Sequence, residues 1–298
     1  MSSPFDAEAF NQRLFFPRAD AGGPAAGSCD FALNVAPDVS LHARWHGSES
    51  SRATVVVFHG NGEIVADYDR YAPRYHAQVG ADLAVIDFRG YGRSSSNPTF
   101  RNCIADAVPA LRALKQELGA RLRSPLVVLG RSLGGACAAE IAQQDPSIVD
   151  AIVMESAPGD PLRILSRRGV KAPERLNEAD AQTFDPRRKL SRCKLPVLVL
   201  HGAKDRAIFP HEARENFDSV AHGRKRLVYI SSRGHGDVLE DPSYYSTLGE
   251  FVRAVRGDAD SVSAWNRPVP PLPFDLVSLA YQLRTSLADL TRRYGGFT

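Results

Sequence analysis

The stretch Leu126-Val127-Val128-Leu129-Gly130-Arg131-Ser132-Leu133-Gly134-Gly135 runs an apolar, strand-like segment into a serine flanked by glycines and then into an alanine-rich helical stretch. A serine on a sharp strand-to-helix turn has a strained backbone. The residues two before and two after it must be small enough for strand and helix to pass closely, and Gly130 and Gly134 meet that need. The turn projects the hydroxyl outward. It also sets the backbone N–H of Leu133 at a helix start, where unpaired donors and the helix dipole can stabilise an oxyanion. A phosphate-type or purely structural glycine turn is the plainer alternative.

A nucleophilic serine needs a base and an acid to orient it, and both follow along the chain. After the apolar run Pro196-Val197-Leu198-Val199-Leu200 comes His201-Gly202-Ala203-Lys204-Asp205, which puts Asp205 on a loop just past a strand end. After Arg226-Leu227-Val228-Tyr229-Ile230 comes Ser231-Ser232-Arg233-Gly234-His235-Gly236, which puts His235 in a glycine-rich loop past the next strand. Sites in parallel sheets form outside the carboxyl ends of the strands, so these loops can bring Ser132, Asp205 and His235 together.

Rival residues have plainer readings. His211 follows Pro210 at a helix start and His222 lies in a polar turn, so both read as surface histidines. His59 and His201 each end a strand before glycine, where a histidine more often orders the loop by hydrogen bonding. Asp237 is too close along the chain to orient His235 easily, and Asp241 before Pro242 reads as a helix cap.

The second oxyanion donor should come from a loop after an earlier strand. Thr54-Val55-Val56-Val57-Phe58-His59-Gly60-Asn61-Gly62-Glu63 supplies a β-branched run and a glycine-bracketed turn, and the backbone N–H of Asn61 is the natural donor. A plain strand-to-helix loop is the alternative, with Glu63 doing no more than complementing the next helix start.

Taken together, His59-Gly60-Asn61-Gly62, Asp87-Phe88-Arg89-Gly90-Tyr91-Gly92-Arg93-Ser94, Gly130-Arg131-Ser132-Leu133-Gly134-Gly135, His201-Gly202-Ala203-Lys204-Asp205 and Gly234-His235-Gly236-Asp237 resemble, in order, the motifs of the α/β-hydrolase superfamily of serine hydrolases. The Asn after His-Gly and the Arg before the serine are similar to a branch with esterase, thioesterase and peptidase-like members. The resemblance spans residues 30–256. It implies Ser132 as nucleophile, His235 as base, Asp205 as its orienting acid, Asn61 and Leu133 as the oxyanion hole, and no cofactor. The reaction it implies is hydrolysis of a small-molecule carboxylic ester or thioester, with amide or peptide cleavage as the enzymatic alternative and ligand binding without catalysis as the non-enzymatic one.

Strands alternate with helices over 31–46, 55–58, 64–79, 83–86, 106–118 and 151–154, which predicts an α/β fold with a mostly parallel central sheet covered on both faces. The alternation breaks over 155–195, read as a small cap insert over the serine. Its Arg163, Arg167, Arg168 and Lys171 read as a solvated basic face, with attraction of an anionic acyl group as the sharper alternative. Residues 1–29 form an N-terminal extension whose Phe10, Leu14, Phe15 and Phe16 are expected to pack on the sheet edge or near the cap. Residues 257–298 carry the stiff spacer Pro268-Val269-Pro270-Pro271-Leu272-Pro273. Leu276, Leu279, Leu283, Leu287 and Leu290 follow at helical spacing, to be buried against the chain's own domain or in a homodimer.

Composition bounds the rest. With 298 residues, 43% hydrophobic and 24% charged, the chain suits one large globular α/β domain with additions. A net charge of +3 is too slight to argue for nucleic acid. The apolar runs are strand-length, so no membrane span is expected, and the N-terminus lacks a secretory pattern. Cys29, Cys103, Cys137 and Cys193 are scattered, without zinc-site spacing, and no metal is expected. Reduced thiols in a cytoplasmic protein are the default expectation.

Overall fold

The computed structural model describes residues 3–258, 265 and 267–273. Eight strands are formed, β1 Ser28–Ala36, β2 Val39–His46, β3 Thr54–Phe58, β4 Asp82–Ile86, β5 Leu126–Arg131, β6 Ala151–Glu155, β7 Val197–Gly202 and β8 Lys225–Ile230. They join in one sheet of order β1-β2-β4-β3-β5-β6-β7-β8. Only the β1–β2 and β2–β4 pairings are antiparallel. Every residue of β3 to β7 is buried. That is why these segments read as unbroken apolar runs: a parallel sheet has helices on both faces, so neither set of alternating side chains meets water.

The helices are α1 Glu8–Leu14, α2 Ala72–Arg74, α3 Phe100–Ala105, α4 Ala107–Leu118, α5 Gly135–Gln144, α6 Pro161–Arg167, α7 Glu178–Phe184, α8 Pro186–Leu190, α9 Pro210–Ser219 and α10 Pro242–Arg256. One face of the sheet is covered by α4, α5, α8 and α9 through Leu111, Leu114, Ile141, Leu190 and Phe217. The opposite face packs on Tyr68, Tyr75, Tyr244, Leu248 and Phe251. Helix α4 shows the sequence logic: Ala107, Ala110, Leu111, Leu114 and Leu118 fall on one stripe and are all buried. Asp241 caps α10 by accepting from the Ser243 N–H, Pro242 opens it, and Gly257 closes it at φ 89°.

Three expectations change. The single helix expected over 64–79 is instead a 3₁₀ turn at Val65–Tyr68, the short α2, and a π turn at Tyr75–Val79. Pro73 has no N–H to give to a continuing ladder and is tolerated only in a first turn, so the helix restarts there. Of the N-terminal residues expected to pack on the sheet edge or near the cap, Phe10, Leu14 and Phe15 are buried, together with Phe5, whereas Phe16 is exposed. The Phe5 ring lies 4.3 Å from Phe184, which in turn stacks on Phe100 at 5.2 Å. Asn11 fixes this arrangement by donating to the Phe5 carbonyl (3.0 Å) and accepting from the Phe100 N–H (2.7 Å). Within 155–195, α8 belongs to the helical layer, with Lys189 buried against Glu140 of α5 at 2.6 Å and Leu190 in the core.

All four cysteines are free thiols. Among the described residues, no helix is long and apolar enough to cross a membrane. The 268–273 spacer has no regular secondary structure. The leucine stripe at 276–290 lies outside the described residues.

Candidate active site

Ser132 sits where β5 ends and the turn into α5 begins, at φ 49°. A Cβ added at Gly130 would meet the Gly134 carbonyl oxygen at 2.3 Å, and one added at Gly134 would meet the Phe58 oxygen at 2.0 Å. Both glycines are therefore required by close backbone approach, as the strand-to-helix reading demands. The left-handed backbone costs a serine on the order of 1–2 kcal/mol, which the packed glycines on either side sustain.

Parallel pairing of β5, β6, β7 and β8 aligns the loops that follow them. Asp205, after β7, is fully buried, and its Oδ1 accepts from the N–H groups of Ala207 and Ile208 at 2.9 Å each. Its Oδ2 lies 2.7 Å from His235 Nδ1, and His235 Nε2 lies 3.0 Å from Ser132 Oγ. Burial works to raise the Asp205 pKa, but the hydrogen bond from His235 and the nearby imidazoles hold it below the usual carboxylate value. His201 reinforces the same carboxylate at 3.3 Å and reaches the Ile208 carbonyl at 2.9 Å, so it orders the loop. Asp237 closes the histidine loop by accepting from the Gly234 N–H (2.7 Å). His211 and His222, expected at the surface, are half-buried, and neither is in the site.

The His59–Glu63 loop, expected to supply an oxyanion donor, is more heavily braced than its sequence suggests. The N–H of Asn61 has no acceptor among the described residues, and Leu133 lies in the first turn after the elbow, where helical N–H groups lack intrahelical partners. The Asn61 side chain, by contrast, is fully engaged. It donates to the Leu14 carbonyl and accepts from the Phe16 N–H (3.1 Å) and the Tyr91 hydroxyl (2.6 Å). It thus ties the N-terminal segment to the rim of the site, and the Arg-Gly-Tyr-Gly loop supplies the supporting tyrosine.

The residues that sequence reasoning missed lie directly beneath. Arg131, next to the serine and buried, donates from Nε to Glu63 Oε1 (2.6 Å), from Nη1 to Glu155 Oε1 (2.8 Å) and from Nη2 to the carbonyl of His235 (3.1 Å). Glu63 Oε2 accepts from the Gly60 N–H and the Tyr68 hydroxyl, both at 2.8 Å. Glu155 Oε2 accepts from Tyr244 at 2.7 Å. One guanidinium thereby couples the loop after β3, the end of β6 and the histidine loop. Burial opposes ionisation of Glu63, yet Arg131 and the Gly60 N–H bring its pKa down to about 2, whereas burial leaves Glu155 raised. A signal was available: Arg131 and Glu155 end two adjacent, otherwise apolar strands and pair in register.

A second buried cluster braces the neighbouring loop. Asp87 Oδ2 lies 2.9 Å from His42 Nδ1, and Asp87 Oδ1 lies 3.3 Å from His59 Nε2 and accepts from the Val65 N–H at 2.9 Å. On the insert, Arg163 pairs with Glu215 at 2.7 Å and Arg167 with Glu212. Neither is a free cation, which corrects the reading of a uniformly solvated basic face. Among the described residues no group of three or more His, Cys, Asp or Glu side chains could hold a metal ion.

The sheet order, the elbow and the loop placement give this chain the α/β-hydrolase fold, and a family model described as alpha/beta hydrolase fold matches residues 53–191. Among characterised sequences, it is 25% identical over 208 residues to protein bem46 of Schizosaccharomyces pombe, covering 69% of each chain. It is also 25% identical over 205 residues to the human alpha/beta hydrolase domain-containing protein 17B, covering 69% of this chain and 68% of that one. Among solved structures, an esterase from Pyrococcus furiosus superposes with a TM-score of 0.64 at 20% identity, covering 80% of this chain and 98% of the esterase. Est1E from Butyrivibrio proteoclasticus, solved with ferulic acid bound, gives 0.61 at 16% identity, covering 76% and 100%. At such identities the structural likeness concerns the fold.

Proposed function

We propose that this chain is a serine hydrolase that cleaves a carboxylic ester or thioester through an acyl-enzyme intermediate. The observation that carries the reading is the continuous hydrogen-bonded chain from Asp205 through His235 to Ser132, at 2.7 and 3.0 Å, with the serine on a strained elbow. In this mechanism His235 Nε2 takes the Ser132 proton as Oγ attacks the acyl carbonyl, and the N–H groups of Asn61 and Leu133 hold the oxyanion. Collapse of the tetrahedral species expels the alkoxide or thiolate, which takes the proton back from His235. Water activated by the same imidazole then releases the acid and frees the serine. Asp205 keeps the imidazole in the tautomer with hydrogen on Nδ1 and stabilises its charged form. The Pyrococcus furiosus esterase among structures of this fold supports the reading.

The test is a matched panel of ester, thioester and amide substrates sharing one acyl group. Hydrolysis of ester or thioester with a pre-steady-state burst of leaving group is expected, the burst reporting acyl-enzyme accumulation. A panel in which only the amide turns over would replace the esterase reading with an amidase, and no turnover of any member would remove both.

A further inference from the structure

Of Arg163, Arg167, Arg168 and Lys171 on the insert, the structure neutralises Arg163 and Arg167 with the carboxylates of α9 and leaves Lys171 exposed. Arg168, the residue that ends α6, is different. It is half-buried, and its guanidinium has no carboxylate partner and no hydrogen bond among the described residues. The guanidinium carbon lies 5.3 Å from the centre of the Phe16 ring. Phe16 is held against the oxyanion loop: its N–H donates to the Asn61 Oδ1 (3.1 Å) and the Tyr91 hydroxyl oxygen (2.9 Å). The Arg168 carbonyl (3.5 Å) and the Gly169 carbonyl (3.2 Å) accept from Arg13, which fixes the end of α6 to the same N-terminal segment.

A guanidinium stacked on an aromatic face keeps its in-plane N–H donors free, in the fork that matches carboxylate or phosphate oxygens. Partial burial without a counter-charge is costly for a cation. Burial and the neighbouring Arg167 accordingly lower the Arg168 pKa. An anion arriving with the substrate would relieve that cost.

We propose that Arg168, presented on Phe16 at the rim of the oxyanion loop, is the anion-recognising residue of the site and selects ester or thioester substrates that carry a carboxylate or phosphate. This inference rests on the serine-hydrolase reading above. Arg163 and Arg167 position the helix that presents it.

The experiment compares kcat/KM of the full chain on two matched pairs. The first is mono-4-nitrophenyl adipate against 4-nitrophenyl hexanoate, which places a carboxylate on the acyl side. The second is a 1-acylglycerol 3-phosphate against the same 1-acylglycerol, which places a phosphate on the leaving side. The wild type should favour the anionic member of at least one pair, and that pair identifies the source of the anion. Arg168→Gln should lower that preference about tenfold or more, chiefly through KM, with Arg168→Lys retaining part of it. Salt should erode the wild-type preference and leave that of Arg168→Gln unchanged. Equal effects of Arg168→Gln on both members of each pair, with Ser132 still labelled by a fluorophosphonate, would overturn this inference alone. Absence of labelling and of all hydrolysis would overturn the underlying reading with it.

Discussion

At the scale of single residues, Ser132 holds a backbone conformation at φ 49° that glycine would occupy at less cost, and its Oγ faces His235 Nε2. Ser132→Ala should therefore leave the thermal unfolding midpoint within a few degrees and lower kcat by a factor on the order of 10⁴ to 10⁶. Arg131 makes the contrasting case. Its removal leaves the half-buried Glu63 and the buried Glu155 without a counter-charge, so Arg131→Met should cost about 3–5 kcal/mol in urea unfolding as well as activity. Glu63 offers a pH test of the same network. Its pKa falls from 4.5 to about 2 on folding, so its stabilising effect is complete above pH 4.5 and is lost as pH drops toward 2. The stability gap between wild type and Glu63→Gln should be constant from neutral pH down to about 4.5 and close below it. A gap that widened on acidification would contradict the ionised pair.

At the scale of elements, the parts legible in the sequence were those set by local sterics. Gly130 and Gly134 announce the elbow because any Cβ there strikes backbone, and the unbroken apolar runs announce strands covered on both sides. The Glu63–Arg131–Glu155 brace was not legible as a unit, since it joins loops far apart in the chain and only the tertiary fold sets them within hydrogen-bonding reach. The interruption of the 64–79 helix was written in Pro73 but masked by the apolar periodicity around it. In the loop after β3, proposed to hold the oxyanion, backbone and side-chain roles of Asn61 separate. Asn61→Ala loses the ties to Leu14, Phe16 and Tyr91 and should act mainly on KM by loosening the rim. Asn61→Pro removes the N–H and should cost kcat about 3–4 kcal/mol of transition-state stabilisation. Equal losses in kcat from both would assign the oxyanion contact to the amide side chain. Helix α1 is similarly testable: Phe10→Ala should destabilise by about 3–5 kcal/mol, because Phe10 is fully buried against Phe5 and Phe100.

At the scale of the whole molecule, the two helical layers close on the sheet by Gly257, and of the C-terminal segment beyond it Trp265 packs on Phe251 and Arg267 pairs with Glu250. We propose that the leucine stripe of that segment, beyond the described residues, joins two copies of the chain, since an exposed apolar helix face is costly in water. Replacing Leu279, Leu283 and Leu287 with Glu should then convert a dimer to a monomer in analytical ultracentrifugation with catalysis retained. A wild type already monomeric at micromolar concentration would place the stripe on its own domain instead. The proposed hydrolase function depends on one nucleophile. The most direct test is fluorophosphonate labelling of wild type, Ser132→Ala and His235→Ala, with the adduct located by peptide mass spectrometry. The account predicts one adduct on Ser132 in the wild type, none in Ser132→Ala and strongly slowed labelling in His235→Ala. Labelling that persists in Ser132→Ala, or an adduct mapped to another residue, would contradict it.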